Sequence, residues 1–270
     1  MSAARSRLFG RIARWRDGVL SFVLLFAVWE AATRLLKLPR YVLPPPSAIW
    51  SDFSARYPTM LSAAATTASE VVMGFAIAVV ISIPLAVLIS YSRPVERLAL
   101  PLIVALQIIP KIAIAPLFII WFGFGLAPKL LLVFLLCFFP IVVSATTGLK
   151  SVPSDILDLA RSTGASEFLV FRKIRLPHAL PSIFTGLKVA ATLATTAAIV
   201  AEFVASDRGL GYMLLQFNGN LETGMVFATV LILSFIGVAL YFTVELVERR
   251  AVSWHVSQRN QAESNPLIGS

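Results

Sequence analysis

Cysteine occurs once, at position 137 inside an apolar run, so no disulfide framework can staple this chain. Histidine occurs twice, at His178 and His255, and no Cys/His cluster with metal-ligand spacing exists, which argues against a metalloenzyme. A Gly-x-x-x-x-Gly-Lys-Ser/Thr phosphate loop is missing, so the chain by itself has no cradle for the phosphates of ATP. Charge is scarce as well: Asp, Glu, Lys and Arg make up 14% of the 270 residues, too little to cover a soluble surface. Apolar residues fill 58% of the chain and the mean hydropathy is +0.84, the balance of a protein that lives in a bilayer. Lys and Arg outnumber Asp and Glu by 23 to 14, yet they fall between apolar runs and form no continuous stripe. That pattern speaks against a nucleic-acid partner and for membrane topology.

A helix needs roughly 20 apolar residues to cross about 30 Å of hydrocarbon. Six stretches qualify: Gly18 to Leu36, Leu61 to Ser90, Leu98 to Phe122, Leu130 to Leu149, Ile183 to Phe203 and Met225 to Glu245. The first carries Glu30 and Arg34 after a basic leader, a pattern shared with secretory signals. Trp29 and Glu30 suit a small-residue cleavage site poorly, so an uncleaved first helix is expected. The expected organisation is a basic arm at 1–17, a membrane domain at 18–250 with a loop at 150–182, and a tail at 251–270. Basic residues gather on the cytoplasmic side of short loops. With both termini inside, sixteen of the 23 become cytoplasmic, and the rest are Arg34, Lys37, Arg40, Arg56, Lys111, Lys129 and Arg208.

The third span holds Pro101, Pro110 and Pro116, each of which removes a helical hydrogen bond, so a kinked helix is expected there. Such breaks are tolerated where protein or a water-lined cavity takes up the freed carbonyls. Pro110 and Pro116 therefore mark either a pathway wall or a bent packing helix. Lys111 sits beside Pro110, and a cation near membrane depth costs roughly 2.5 to 3.5 kcal/mol on insertion scales. Three readings stand for it: a charge for an anionic solute, a partner for Glu202 or Glu70, or a snorkelling side chain. Glu202, at the outer end of the fifth span, is either an interfacial acid or part of a gate on that side.

The loop from Lys150 to Ser182 has the marks of structure. Ser154 is a suitable N-cap, Asp155 and Asp158 suit the positive end of a helix dipole, and Ile156, Leu157, Leu159 and Ala160 supply an apolar face. Gly164 supplies a stop; Ser166 can cap a second helix with Glu167 in its first turn, and Pro177 is expected to end it. Helix, tight turn, helix is a docking element held along the membrane, or an amphipathic hairpin resting on headgroups beside Arg172, Lys173 and Arg175.

Asp158-Leu159-Ala160, Gly164, Ile174 and Leu176-Pro177, at these spacings, resemble the EAA loop of membrane subunits of binding-protein-dependent ABC importers. Asp158 and Leu159 depart mildly from the usual Glu and Ala. From Leu43 to Tyr212 the chain looks like the permeases of nitrate, sulfonate, taurine, bicarbonate and thiamine-precursor importers. The similar residues are Gly74-Phe75, Pro110, Pro116-Leu117, Trp121-Phe122-Gly123, Gly125, Phe139-Pro140, Ala201-Glu202 and Gly209-Leu210-Gly211. Glu70 stands where many relatives carry Arg, and no role is carried over to it.

The resemblance implies an all-α membrane protein of the type I importer kind: six transmembrane helices and a cytoplasmic coupling hairpin. It implies coupling through Asp158, Leu159, Ala160, Gly164, Ala165, Ser166, Ile174, Leu176 and Pro177 to an ABC ATPase dimer that holds the ATP and Mg, this chain being non-catalytic and without a cofactor. A second permease subunit, expected to be identical, and a periplasmic or lipid-anchored binding protein complete the implied assembly in the bacterial inner membrane. Pathway or gate candidates are Lys111, Pro110, Pro116 and Glu202. The competing class is an ion-gradient-driven secondary transporter, which has no use for the loop spacing and would show an inverted repeat that is not seen.

Overall fold

The computed structural model describes residues 20, 21 and 23–252; the arm at 1–17, the start of the first expected span and the tail after 252 lie outside the described residues. Among the described residues every regular element is helical. Helix α1 covers 23–35. It is followed by α2 (Pro46–Ala55), α3 (Tyr57–Tyr91) and α4 (Arg93–Ile108). A 3-10 turn at Lys111–Ile114 leads into α5 (Ala115–Phe122), and α6 spans Leu126–Lys150. Two short helices, α7 (Ser154–Ser162) and α8 (Glu167–Val170), precede a π turn at Phe171–Arg175; α9 (Leu176–Ala205), α10 (Leu210–Gly219) and α11 (Thr223–Ala251) complete the chain.

Four helical stretches among the described residues are long and apolar enough to cross a bilayer: Tyr57–Tyr91, Leu126–Lys150, Glu167–Val204 and Thr223–Ala251. A fifth span is reached if α4 and the segment Lys111–Phe122 count as one. Six were expected. The first, Gly18 to Leu36, falls partly outside the described residues, of which 20, 21 and 23–35 are helical. The third departs from expectation, because it is not a kinked helix but a broken one, bent by 85°. The break falls at Ile109-Pro110, where extended backbone replaces the helix and proline has no N–H to continue the ladder. Pro116 does the opposite, seated in the first turn of α5 where the lost donor is not needed.

The chain divides into two compact units, Met1–Leu61 with Met213–Leu231 and Ser62–Tyr212 with Ile232–Ser270. In the second, the core is a seam between α6 and α9. Ala179, Ala190, Ala191, Ala194, Ala197 and Ala198 of α9 are buried against Val133, Cys137, Ile141, Ala145 and Leu149 of α6. Lipid tails are as apolar as leucine, so helix association in a membrane is driven by close packing, and small residues permit the closest. Two glycines set the approach: a Cβ on Gly186 would lie 2.8 Å from the Pro140 carbonyl oxygen, and one on Gly148 3.0 Å from that of Ala179. The pairs run in opposite senses along the two helices, so α9 is antiparallel to α6. Helix α3 joins the same core through Val71, Ala78 and Ala86, and the Ser82 hydroxyl donates to the Phe138 carbonyl at 3.4 Å.

In the first unit, Glu30 of α1 accepts the backbone N–H of Ser47 at 3.0 Å and its hydroxyl at 2.7 Å, capping the start of α2. Arg56 pairs with Glu222 at 2.5 Å, and the Thr223 hydroxyl donates to the Tyr41 carbonyl at 2.9 Å. Trp29 and Phe227 rings lie 5.6 Å apart.

Replacing Gly186 by Val should cost about 1–3 kcal/mol through overpacking against the α6 backbone, read as a lower unfolding temperature of the detergent-purified protein. Gly219, with nothing within 4 Å of the added carbon, should accept Ala without that loss; equal behaviour of the two variants would contradict the packing account.

Candidate functional site

The α9 end of the second unit holds a cluster of buried charge that its residues reach from four segments. Glu202, in the last turns of α9, is 0% exposed. Its Oε1 accepts the Thr67 hydroxyl of α3 at 2.6 Å, and its Oε2 accepts the backbone N–H of Gly211 in the first turn of α10. Thr67 in turn accepts the Leu210 N–H at 2.8 Å. Glu202 and Thr67 thus satisfy two N–H groups that a helix start leaves without partners, and the carboxylate lies at the positive end of the α10 dipole. Glycine is required beside it. Gly209 has φ +104°, a region L side chains rarely adopt, and a Cβ there would overlap Glu202 Oε1; at Gly211 the added carbon would lie 2.8 Å from Oε2.

A second pair lies next to the first. Lys129, near the start of α6, is 4% exposed and bonds to Glu70 of α3, which is 1% exposed. Its ammonium also donates to the Ser206 hydroxyl at 3.0 Å. Ser206 donates to the Arg208 carbonyl and accepts the Arg208 N–H at 3.2 Å, which closes the loop before α10. Glu70 Oε2 is buried and has no hydrogen-bond partner among the described residues. Both Glu70 and Lys129 lie within electrostatic reach of Glu202.

The expected site residues are distributed differently from expectation. Glu202 is buried, and its two hydrogen bonds, with the Leu210–Thr67 bond beside them, hold it inside. Lys111 pairs with neither Glu202 nor Glu70 in this chain: its ammonium donates to the Gln107 carbonyl at 3.1 Å and lies 4.8 Å from the centre of the Phe139 ring. The broken span places Lys111 in the 3-10 turn after Pro110, with that carbonyl of α4 in reach. The cation that does pair is Lys129, which sequence reasoning left among scattered basic residues. Its signal was modest, a lysine directly following Pro128 where an apolar run begins.

At the other end of α9 the hairpin is built. Helix α7 begins at Ser154 with Pro153 as the residue before it; Ser154 is not the cap, and its hydroxyl is 3.3 Å from Asp155 Oδ1. Its C-terminus closes in a Schellman motif: the Ala165 N–H reaches the Ala160 carbonyl at 3.2 Å and the Gly164 N–H that of Arg161 at 2.9 Å, with Gly164 at φ +78°. Ser166 caps α8, its hydroxyl oxygen accepting the Leu169 N–H at 3.3 Å. Arg161 and Glu167 bridge the turn at 2.9 Å, and Asp158 lies 3.7 Å from Arg161. The second arm does not end at Pro177. The Leu176 N–H bonds to the Phe171 carbonyl across a π turn, Ile174 lies within that turn, and Pro177 sits in the first turn of α9, where its missing donor breaks nothing. Hairpin and span are one helix. Tyr91 and Arg175 fasten the junction, the guanidinium 4.7 Å from the ring centre. The apolar side chains at the tip point outward: Leu159 is 68% and Phe168 72% exposed.

Residues 71–253 match the family described as binding-protein-dependent transport system inner membrane component. A probable ABC transporter permease protein of Haemophilus influenzae is 33% identical over 86% of this chain and 94% of its own length. The formylaminopyrimidine transport permease protein ThiX of Halalkalibacterium halodurans is 34% identical over 90% of this chain and 97% of its own. The taurine transport system permease protein TauC of Escherichia coli is 31% identical, covering 86% and 87%. An inward-facing structure of the MetNI methionine ABC transporter shares the fold at a TM-score of 0.64, with 17% identity over 73% of this chain and 98% of that one.

Removing one member of a buried ion pair strands the other, at a cost of about 3–5 kcal/mol. Lys129→Met should therefore lower the unfolding temperature in detergent sharply, and adding Glu70→Leu to it should recover most of the loss; a single variant as stable as the parent would refute the pair's burial.

Proposed function

The chain belongs to the binding-protein-dependent transport system inner membrane component family and is a permease subunit of an ABC importer, and from that premise we propose how it is driven and what it carries. The hairpin of α7 and α8 is the coupling element that seats in a partner ATPase. The observation that carries this reading is its combination of rigidity and unpaired apolar surface. The Schellman turn, the Ser166 cap, the Arg161–Glu167 bridge and the π turn hold it to α9, yet Ile156, Leu159, Phe168 and Leu169 face outward. In water such a patch is the mark of an interface. Asp158, Ala160, Gly164, Ala165 and Ser166 shape the tip; Ile174, Leu176 and Pro177 join it to the span.

ATP binding would draw two partner ATPases together, and the helix Glu167–Val204 would carry the displacement toward Glu202. At 1.5 Å per residue those 38 residues reach about 57 Å, longer than the hydrocarbon is thick. We place the hairpin and both termini in the cytoplasm. In support, Arg93, Lys150, Arg172, Lys173 and Arg175 all sit at the hairpin ends of their helices. Glu202 then lies toward the periplasm, beside the binding protein. Two copies of this chain around one passage complete the pathway, with Lys111, Pro110 and Pro116 at the broken span as wall candidates. The names of its relatives point to a small organic solute as cargo, such as a taurine-like anion or a thiamine-precursor-like molecule.

In vesicles containing the full importer, Gly164→Val forces a β-branched residue into a φ of +78° and should abolish ATP-driven uptake while membrane insertion persists. Leu159→Glu should do the same through the docking face. Uptake at the parent rate by both variants, or uptake by the permease with no ATPase present, would sink the coupling reading.

A further inference from the structure

With both termini in the cytoplasm, Arg34, Lys37 and Arg40 fall together on the opposite side of the membrane, three cations within seven positions. Basic residues are normally sparse on that side of a short loop, so the cluster calls for a cause. It sits where α1 ends and the chain turns toward α2, within the first unit. There the three cations line an open cavity of about 530 Å³ together with Ser47, Ser51 and Asp52. At about 30 Å³ per water it holds roughly 18 waters, more than an ion needs and enough for a phospholipid headgroup.

The turn is built at a conformational cost. Helix α1 closes in a Schellman motif, the Leu38 N–H donating to the Thr33 carbonyl at 3.1 Å and the Lys37 N–H to that of Arg34 at 3.3 Å. The place that Gly164 fills in the hairpin is taken here by Lys37, at φ +48°. L side chains rarely adopt that region, and a lysine held there points to a use for its side chain.

The three cations are not equally committed. Arg34 donates from Nε to Glu30 at 2.6 Å and from Nη2 to the Ser47 hydroxyl oxygen at 3.2 Å. Lys37 and Arg40 are exposed and have no ion-pair partner among the described residues, and the exposed Ser51 hydroxyl has no hydrogen-bond partner there. Asp52, the one acid of the lining, is turned toward the start of α11, where a Cβ on Gly224 would overlap its Oδ2. Three cations thus meet one acid, and with Arg34 answered by Glu30 one positive charge is still left over. The same turn and α2 expose Leu35, Leu36, Tyr41, Val42 and Trp50. Cations interleaved with apolar and aromatic groups at the end of a membrane helix suit the depth at which acyl chains give way to headgroups.

We infer that this cavity holds the phosphate of a phospholipid headgroup. A phosphodiester brings anionic acceptor oxygens and no donor, the complement of Lys37 Nζ, the Arg40 guanidinium and the Ser51 hydroxyl. The assignment goes beyond the permease reading and takes from it only that α1 lies in the membrane.

Native mass spectrometry of the full importer in detergent counts the lipid retained. Dioctanoyl phosphatidylglycerol supplies phosphate with chains, dioctanoylglycerol the chains alone and inorganic phosphate the anion alone. The parent should retain the phosphatidylglycerol and not the dioctanoylglycerol, and inorganic phosphate at the same concentration should not displace it. Lys37→Gly with Arg40→Gln should weaken retention by about tenfold or more, the scale of losing two cations beside a membrane surface, while Arg97→Gln at the hairpin end of α4 should not. Lys37→Gly alone is at ease at φ +48° and should unfold no lower than the parent, yet retain several-fold less lipid, which a merely structural turn would not show. Equal retention by parent and double variant, equal retention of the two lipids, an equal loss in Arg97→Gln or displacement by inorganic phosphate would overturn the proposal. So would weaker capture of the binding protein by the double variant with lipid retention unchanged, which would assign the patch to that protein. ATP-driven uptake by the parent importer in vesicles tests the permease reading separately, so failure of the lipid site leaves that reading standing.

Discussion

A buried carboxylate at the start of α10 is the constraint around which the Glu202 end of this protein is arranged. A carboxyl group taken out of water needs its lone pairs matched, and Glu202 is matched by a hydroxyl, a backbone N–H and the positive end of a helix. Each match restricts something else. The N–H groups come close enough only if positions 209 and 211 carry no side chain, and Thr67 must face Leu210 as well as the acid. The loop so fixed presents Ser206 to Lys129, and Lys129 holds Glu70. One buried acid is thus linked to Thr67, Gly209 and Gly211 directly and, through the loop before α10, to Ser206, Lys129 and Glu70.

The hairpin end obeys a different logic. Its apolar surface is not hidden, and its stiffness comes from local devices: a Schellman turn, a serine cap, one ion pair and a ring under a guanidinium. The first three span at most six positions each, while the fourth ties Arg175 to Tyr91 at the end of α3. The seam of alanines between α6 and α9 joins the two ends. Small residues let the helices touch backbone to backbone, so α9 has little freedom to bend away from α6 as it runs from the tip to the buried acid.

How far each feature was legible in the sequence follows from this division. Four of the six expected spans could be read because membrane depth demands long apolar runs, a fifth only as a bent pair, and the helix–turn–helix because Gly164 and Ser166 carry turn and cap chemistry within a few positions. The buried cluster could not. Thr67, Glu70, Lys129 and Glu202 are separated by up to 135 positions, and nothing local in the apolar runs says which polar residue meets which. Lys111 misled for the same reason: the charge beside a proline stands out in one dimension, while Lys129 is the one the fold buries. Pro177 was misread because proline stops a helix from within but begins one without penalty, and only the π turn before it shows which applies.

The unbroken helix from Glu167 to Val204 carries a restriction on how this chain can change its length. Adding or deleting a single residue within the regular α-helical part, between Pro177 and Glu202, would turn everything beyond it by about 100° and shift it by about 1.5 Å, because an α-helix has 3.6 residues per turn. Glu202 would swing away from Thr67, or the hairpin tip would face another way. Insertions are thus barred along this rod.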